Sequence, residues 1–163
     1  MTHQWQPPHN VWDCLDHHKQ SIYWATIYGT SFVGVATTAK YADLAEKYLA
    51  DAEYAPGTVV VFGGNQEVTV NAVDSDSRVA GVVSTNPGFT MNEELEGTVA
   101  TVALTGRVPT MVIGPVRKGD LMVSAGLGRA RAEANPRVGT VIGKALEDFD
   151  GAEGIIEVVV GRF

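Results

Sequence analysis

A single cysteine, Cys14, stands among 163 residues, which excludes an intrachain disulfide and any zinc site built on several thiolates. That suits a product of a reducing cytoplasm. Long apolar runs are also missing, and none approaches the roughly 18 residues that span a bilayer. The N-terminus, Met1-Thr-His-Gln-Trp-Gln-Pro-Pro8, lacks the basic and apolar regions of a signal peptide, so neither membrane insertion nor export is expected. Nothing repeats at a fixed period, which excludes a solenoid. Positive charge is scarce too, with 12 Lys and Arg against 19 Asp and Glu and a net charge of −7. Phosphate would meet net repulsion over most of such a surface, so a nucleic-acid partner is not expected.

Recognisable catalytic and ligand-binding motifs are equally sparse. Gly114-Pro-Val-Arg-Lys-Gly-Asp120 lacks the glycine spacing and following Lys-Ser/Thr of a phosphate-binding loop, and Pro115 with Gly119 makes it a turn between strands. Asp74-Ser-Asp-Ser-Arg78 lacks the spaced acids, glycine and closing Glu of a calcium loop and is predicted to be a polar turn. Glu93-Glu-Leu-Glu96 reads as a solvated face. Cys14 has Asp13, Asp16, His17 and His18 beside it, the residue types of a metal site, yet adjacent histidines diverge on any regular element. A three-fold axis could gather one histidine from each of three chains, but the expectation is no metal and no cofactor. Cys14 as a nucleophile would need a held base and an anion-stabilising pocket, and no such motif is visible.

What is present divides into two zones. Residues 1–40 hold all three tryptophans and all four histidines and are formally neutral, while residues 41–163 carry the whole −7. The first zone contains two stretches rich in aromatic and β-branched residues, Ser21–Gly29 and Ser31–Thr38, without enough apolar partners nearby to bury both faces. It is expected to be an arm for assembly or attachment, contacting other copies through Trp5, Trp12, Tyr23, Trp24, Tyr28 and Phe32. The alternative is a hairpin folded onto its own domain.

Residues 41–54 allow two structures. Tyr41, Leu44, Tyr48 and Leu49 recur at helical spacing, and Asp43 followed by Glu46 resembles a capping box, which favours one short helix. A bent edge strand stays open, because Leu44 and Tyr48 also share a face at period two. From residue 55 onward, short valine-rich runs at 58–62, 67–73, 78–84, 99–105, 108–113, 120–124, 140–146 and 155–160 alternate with Gly, Pro, Asn and Asp. Eight short strands with such breaks predict a mainly β, compact barrel or sandwich over 41–163. Residues 125–137 are expected to be a loop with a single helical turn. The segment 107–137 holds six basic residues against Asp120 and Glu133, either a solvated face or a surface paired with acids of a neighbouring subunit.

Four motifs in one order carry a resemblance: Ser77-Arg-Val-Ala-Gly-Val-Val-Ser-Thr-Asn-Pro-Gly88, Leu104-Thr-Gly-Arg-Val-Pro109, Gly114-Pro-Val-Arg-Lys-Gly-Asp-Leu-Met-Val-Ser124 and Val141-Ile-Gly-Lys-Ala-Leu-Glu147. Together, over about residues 36–162, they resemble the C-terminal domains of tail-fibre and appendage proteins of T4-like phages that infect cyanobacteria. They are also similar to the peptidase G2 family of intramolecular chaperone domains. The resemblance implies a trimeric β module of a tailed-phage virion, assembled in the host cytoplasm. Its partners would be other phage structural proteins and a host surface receptor. It further implies a self-cleavage motif, Asp-x-x-Glu, matched here by Asp43 and Glu46, with Ala42–Asp43 as the bond to be cut. Ala42 departs from the serine that family members can offer at that place. The expected function is therefore non-enzymatic: a tail-fibre, baseplate or neck-appendage component acting by oligomeric assembly. A head-decoration protein and a self-cleaving chaperone are the alternatives.

Overall fold

Valine at alternating positions is what builds this chain. The computed structural model describes residues 43–161 and contains ten strands and no helix among them. They are β1 (Asp43–Leu49), β2 (Val59–Phe62), β3 (Val68–Val70), β4 (Val79–Val83) and β5 (Phe89–Met91), then β6 (Val99–Ile113), β7 (Leu121–Gly126), β8 (Arg129–Ala132), β9 (Val141–Ala145) and β10 (Glu153–Val160). The expected mainly β, compact architecture is thus the one observed.

Strand β6 organises the rest. Its C-terminal half pairs antiparallel with β10, from Ile113↔Glu153 to Gly106↔Val160, and parallel with β8 at Val112↔Ala130. β8 pairs with β7, β7 with β9 and β9 with β10, so β6-β8-β7-β9-β10 close on themselves as a five-stranded barrel. Closure removes sheet edges, which would otherwise invite pairing with other chains. The barrel interior is filled by Val108, Val112, Val116, Met122, Ala130, Ile142, Ala145, Ile156, Val158 and Val160, all buried. Phe149 packs against this cluster and takes the space left by Gly151 and Gly154, where a Cβ would come within 2.6 and 2.5 Å of its ring.

The N-terminal half of β6 leaves the barrel and becomes the centre of an outer sheet ordered β5-β1-β6-β4-β2-β3. Val102 and Ala103 are paired on both sides, with β1 and with β4. A second, smaller core of Ala50, Val60, Val68, Val83, Ala100 and Val102 forms here under Tyr48 and Tyr54.

Three expectations are corrected. The predicted short helix over 41–54 is strand β1: Asp43–Leu49 pair antiparallel with Gly106–Val99, and Leu44–Glu46 pair parallel with Phe89–Met91. Its Ala, Leu, Glu and Lys are good helix formers, but seven residues gain a ladder on one side and three on both, and tertiary pairing outweighs propensity differences of tenths of a kcal/mol per residue. The loop with a helical turn over 125–137 contains strand β8, which completes the barrel. Two of the predicted strands are also one: 99–105 and 108–113 run together as β6. Pro109 does not interrupt it. Its missing N–H faces away from β10, the side on which Met111 N donates to Gly57 O at 2.9 Å.

Candidate functional site

Four strand pairings contain one residue too many; the extra Ala125, between Ser124↔Ala130 and Gly126↔Arg129, lies elsewhere, but the other three extra residues line one groove. Between Leu44↔Thr105 and Ala45↔Ala103 the extra residue is Leu104; between Val60↔Gly81 and Val61↔Val79 it is Ala80. Between Met122↔Gly143 and Val123↔Val141 it is Ile142. Such bulges bend a strand and re-aim its side chains, and they recur beside functional sites. Here they open a groove of about 530 Å³ at the seam of outer sheet and barrel, walled by Val79, Leu104, Val141 and Val160. Tyr48 and Phe62 stand in it edge to face, with ring centroids 5.6 Å apart, and Phe62 is 43% exposed. Among the described residues the one carboxylate in the lining is that of Glu46, whose Oε2 accepts a 2.7 Å hydrogen bond from the Tyr48 hydroxyl, and Ser77 adds a second hydroxyl.

Sequence reasoning singled out Glu46 but missed Phe62, Ala80, Leu104 and Ile142. A signal was present. Gly81 and Gly143 interrupt valine runs, each directly follows a bulge residue, and a Cβ on either would lie 2.3 or 2.1 Å from a backbone carbonyl oxygen, that of Ala103 or Val159. Glycine inside a strand pattern marks such close approach.

Asp43 and Glu46 are not brought together. Being three apart on a strand, they project from opposite faces of β1. Glu46 enters the groove, whereas Asp43 is buried, and its backbone carbonyl accepts from Gly88 N at 2.9 Å. Burial pushes the Asp43 carboxyl above its ordinary value of 3.8, and the nearby Ser84 hydroxyl pulls it only part of the way back. The hydroxyl is close enough to favour the anion electrostatically, yet neither Asp43 Oδ2 nor Ser84 Oγ completes a hydrogen bond. The sign of the linkage follows. A folded-state pKa above the unfolded one means tighter proton binding in the fold, so this contribution is full below 3.8 and is lost as pH rises through the folded value. Asp43→Asn removes the charge while keeping the shape. It is expected to raise the urea midpoint at pH 7 and to lose that advantage at about pH 3, where the wild-type carboxyl is itself neutral. Equal midpoint shifts at both pH values would contradict the buried-carboxylate assignment.

Four of the six basic residues in 107–137 meet acids of the same chain. Arg131 grips Asp74 with two contacts of 2.7 and 2.8 Å and donates to Glu133 Oε2 at 2.9 Å and to Ser75 Oγ at 3.1 Å. Arg117 meets Asp150 at 2.6 Å, Arg129 meets Glu153 at 2.9 Å, and Arg107 approaches Glu157 at 3.9 Å. The hydrogen-bonded Arg131 guanidinium holds Asp74 below the usual carboxylate range, and its own pKa rises in return. Asp74–Arg78 is the expected polar turn: Asp76 is clamped by Arg78 through Nε and Nη2 and by the Arg78 backbone N–H. Gly114–Asp120 is likewise a turn, joining β6 to β7, with Asp120 Oδ2 accepting from Arg117 N at 2.8 Å.

The arm residues Trp5, Trp12, Tyr23, Trp24, Tyr28 and Phe32, and the cluster from Asp13 to His18, lie outside the described residues. Among the described residues, no three His, Cys, Asp or Glu side chains gather where they could hold one metal ion, and no helix is long and apolar enough to cross a membrane.

No protein-family model matches the chain. No curated protein matches it either. Among solved structures the fold is similar to that of the pre-mature bacteriophage phi29 gene product 12, with a TM-score of 0.57 and 13% sequence identity. The match covers 74% of this chain but only 22% of that one, so the chain corresponds to a small part of a much longer protein. At this identity the likeness establishes the shared fold.

Proposed function

We propose that this chain is a structural component of a tailed-phage particle, in a tail fibre, baseplate or neck appendage, acting by assembly with sister copies and by attachment rather than by catalysis. The observation that carries the proposal is the fold likeness to a bacteriophage protein over 74% of the chain. The surface is consistent with it. Leu127, Phe89, Ile155 and Val73 are 77, 63, 60 and 57% exposed, apolar area that neighbouring protein can cover. A homotrimer, with other phage structural proteins and a host surface receptor as further partners, is the assembly this reading calls for. Native mass spectrometry of the full chain at micromolar concentration should return a trimer near three times 17.4 kDa. A monomer at that concentration would sink the assembly reading.

A second reading is self-cleavage at Ala42–Asp43. The structural neighbour is of a pre-mature form, and a buried carboxyl with a raised pKa beside a hydroxyl is suited to proton transfer at an adjacent peptide bond. Against it stands the separation of Asp43 from Glu46 on opposite faces of β1. The intact chain should therefore give one uncut mass of 17.4 kDa, the same within the substituted atoms for Asp43→Ala. Two fragments from the wild type and none from Asp43→Ala would establish the cut instead.

A further inference from the structure

Asp150–Gly151 is the one Asp-Gly step in the sequence, and no Asn-Gly step occurs. Glycine has no Cβ to shield its own amide nitrogen, so at such a step that nitrogen can reach the preceding carboxyl. The fold leaves this step open. Residues 150 and 151 lie between the Val116↔Phe149 bridge and β10, outside any strand, and both are exposed. The Asp150 side chain is 78% exposed, and among the described residues no acceptor takes the Gly151 N–H.

Other aspartates are held back. The amide after Asp148, Phe149 N, donates to Val116 O at 2.9 Å, and the amide after Asp74, Ser75 N, donates to Ser124 O at 2.7 Å. Asp76 is gripped by three donors of Arg78, and the residue after Asp120 is already in β7, paired with Lys144. One contact restrains Asp150. Arg117 Nη2 meets its Oδ1 at 2.6 Å, and this contact raises the pKa of the guanidinium. Attack by the Gly151 nitrogen must give the contact up, because the carboxyl carbon turns toward the nitrogen and sheds an oxygen.

We infer that Asp150–Gly151 is a site of spontaneous aspartate isomerisation and that Arg117 slows it. The Gly151 nitrogen bonds to Asp150 Cγ, and the N–H hydrogen leaves with a carboxyl OH as one water. A five-membered succinimide results. Water then adds to either of its carbonyl carbons, and the C–N bond there breaks. Breakage at Cγ restores aspartate; breakage at the main-chain carbonyl carbon gives isoaspartate, whose main chain runs through Cγ. Nothing is oxidised or reduced.

The product fits poorly. Isoaspartate lengthens the main chain by one carbon where packing is tight: a Cβ at Gly114 would lie 2.2 Å from Gly151 O, and one at Gly151 would lie 2.6 Å from the Phe149 ring. Phe149 is bonded through both N and O to Val116 of the barrel core, at 2.9 and 2.8 Å. The longer chain displaces one of these neighbours and loosens that end of the barrel. This inference is independent of the assembly reading, since the reaction needs one chain and water.

In the test, the full chain is held for weeks at neutral pH and digested, and its peptides are read by electron-transfer dissociation, which separates isoaspartate from aspartate. Isoaspartate should accumulate at 150 ahead of 74, 76, 120 and 148, with a minor species lighter by one water. Asp150→Glu should abolish the signal at that position. Arg117→Gln should raise the rate about two- to fivefold, the scale of an exposed ion pair. High salt should bring the wild type toward the rate of Arg117→Gln and leave that variant unchanged, which a general loosening of the turn would not do. Amide exchange at Val116 and Phe149 should quicken in the isoaspartate fraction. Isoaspartate at 150 no more abundant than at 148 would overturn the site. Equal rates in the wild type and Arg117→Gln, or the same acceleration of both by salt, would overturn the restraint by Arg117.

Discussion

Gly143→Ala is expected to cost about 3 kcal/mol of folding stability, a large effect for the addition of one methyl group. Gly143 is buried in β9 and paired on both sides, with Met122 of β7 and Val160 of β10. An added Cβ would lie 2.1 Å from Val159 O and 2.8 Å from the Val159 carbonyl carbon. Both are backbone atoms, so no rotamer change relieves the clash. The remaining adjustment is for β10 to move away from β9, and β10 is also paired with β6 over eight residues, so the displacement would spread around the closed barrel. Gly119→Ala supplies the contrast. Gly119 has nothing within 4 Å of its added Cβ but a φ of +92°, so it loses only the left-handed backbone preference, about 1–2 kcal/mol. Urea unfolding of both variants at unchanged slope separates collision from backbone strain. A Gly143→Ala midpoint no lower than that of Gly119→Ala would show that β9 and β10 do not approach as closely as described.

The second large effect is expected from Met122→Ala. Met122 is the largest of the fully buried side chains and sits in the barrel cluster, where rigid strands on every side limit collapse into the space it leaves. Lost transfer energy and the residual cavity together should cost about 2–5 kcal/mol. Leu127→Ala, at a site 77% exposed on the turn between β7 and β8, should change stability by less than about 0.5 kcal/mol. A Met122→Ala loss below about 1 kcal/mol would mean the barrel interior is not closely packed. Native mass spectra of Leu127→Ala add a reading on assembly, since a smaller oligomer at unchanged stability would place that side chain in an intersubunit contact.

Much of this architecture was legible because a strand buried on one or both faces needs β-branched residues at short range, and the valine runs of β2, β4, β7, β9 and β10 supply them. Two short strands were not. β5 is three residues long, and β8, Arg-Ala-Arg-Ala, carries no apolar run; its guanidinium groups go outward to Asp74 and Glu153 while Ala130 fills the core. The break read between 105 and 108 is a bend at Gly106, φ +117°, where β6 passes from outer sheet to barrel. The Asp43–Glu46 spacing reads as a helix cap, and the pair caps no helix, since β1 sends the two carboxyls to opposite faces. The basic segment was visible, but the acids that neutralise it lie as far as 57 positions away in the chain.

By itself the sequence determined the local grammar of this protein. Valine and glycine spacing dictates extended, turn-punctuated chain, and a single cysteine leaves packing rather than an intrachain disulfide to hold it. Tertiary structure alone decided which strands became neighbours. It turned a helix-prone segment into β1, closed five strands into a barrel, and aligned Leu104, Ala80 and Ile142 around one groove. The physical reason is that pairing partners and bulges are set by contacts between residues far apart in the chain, whose free energy exceeds any local preference and leaves little trace in neighbouring residues.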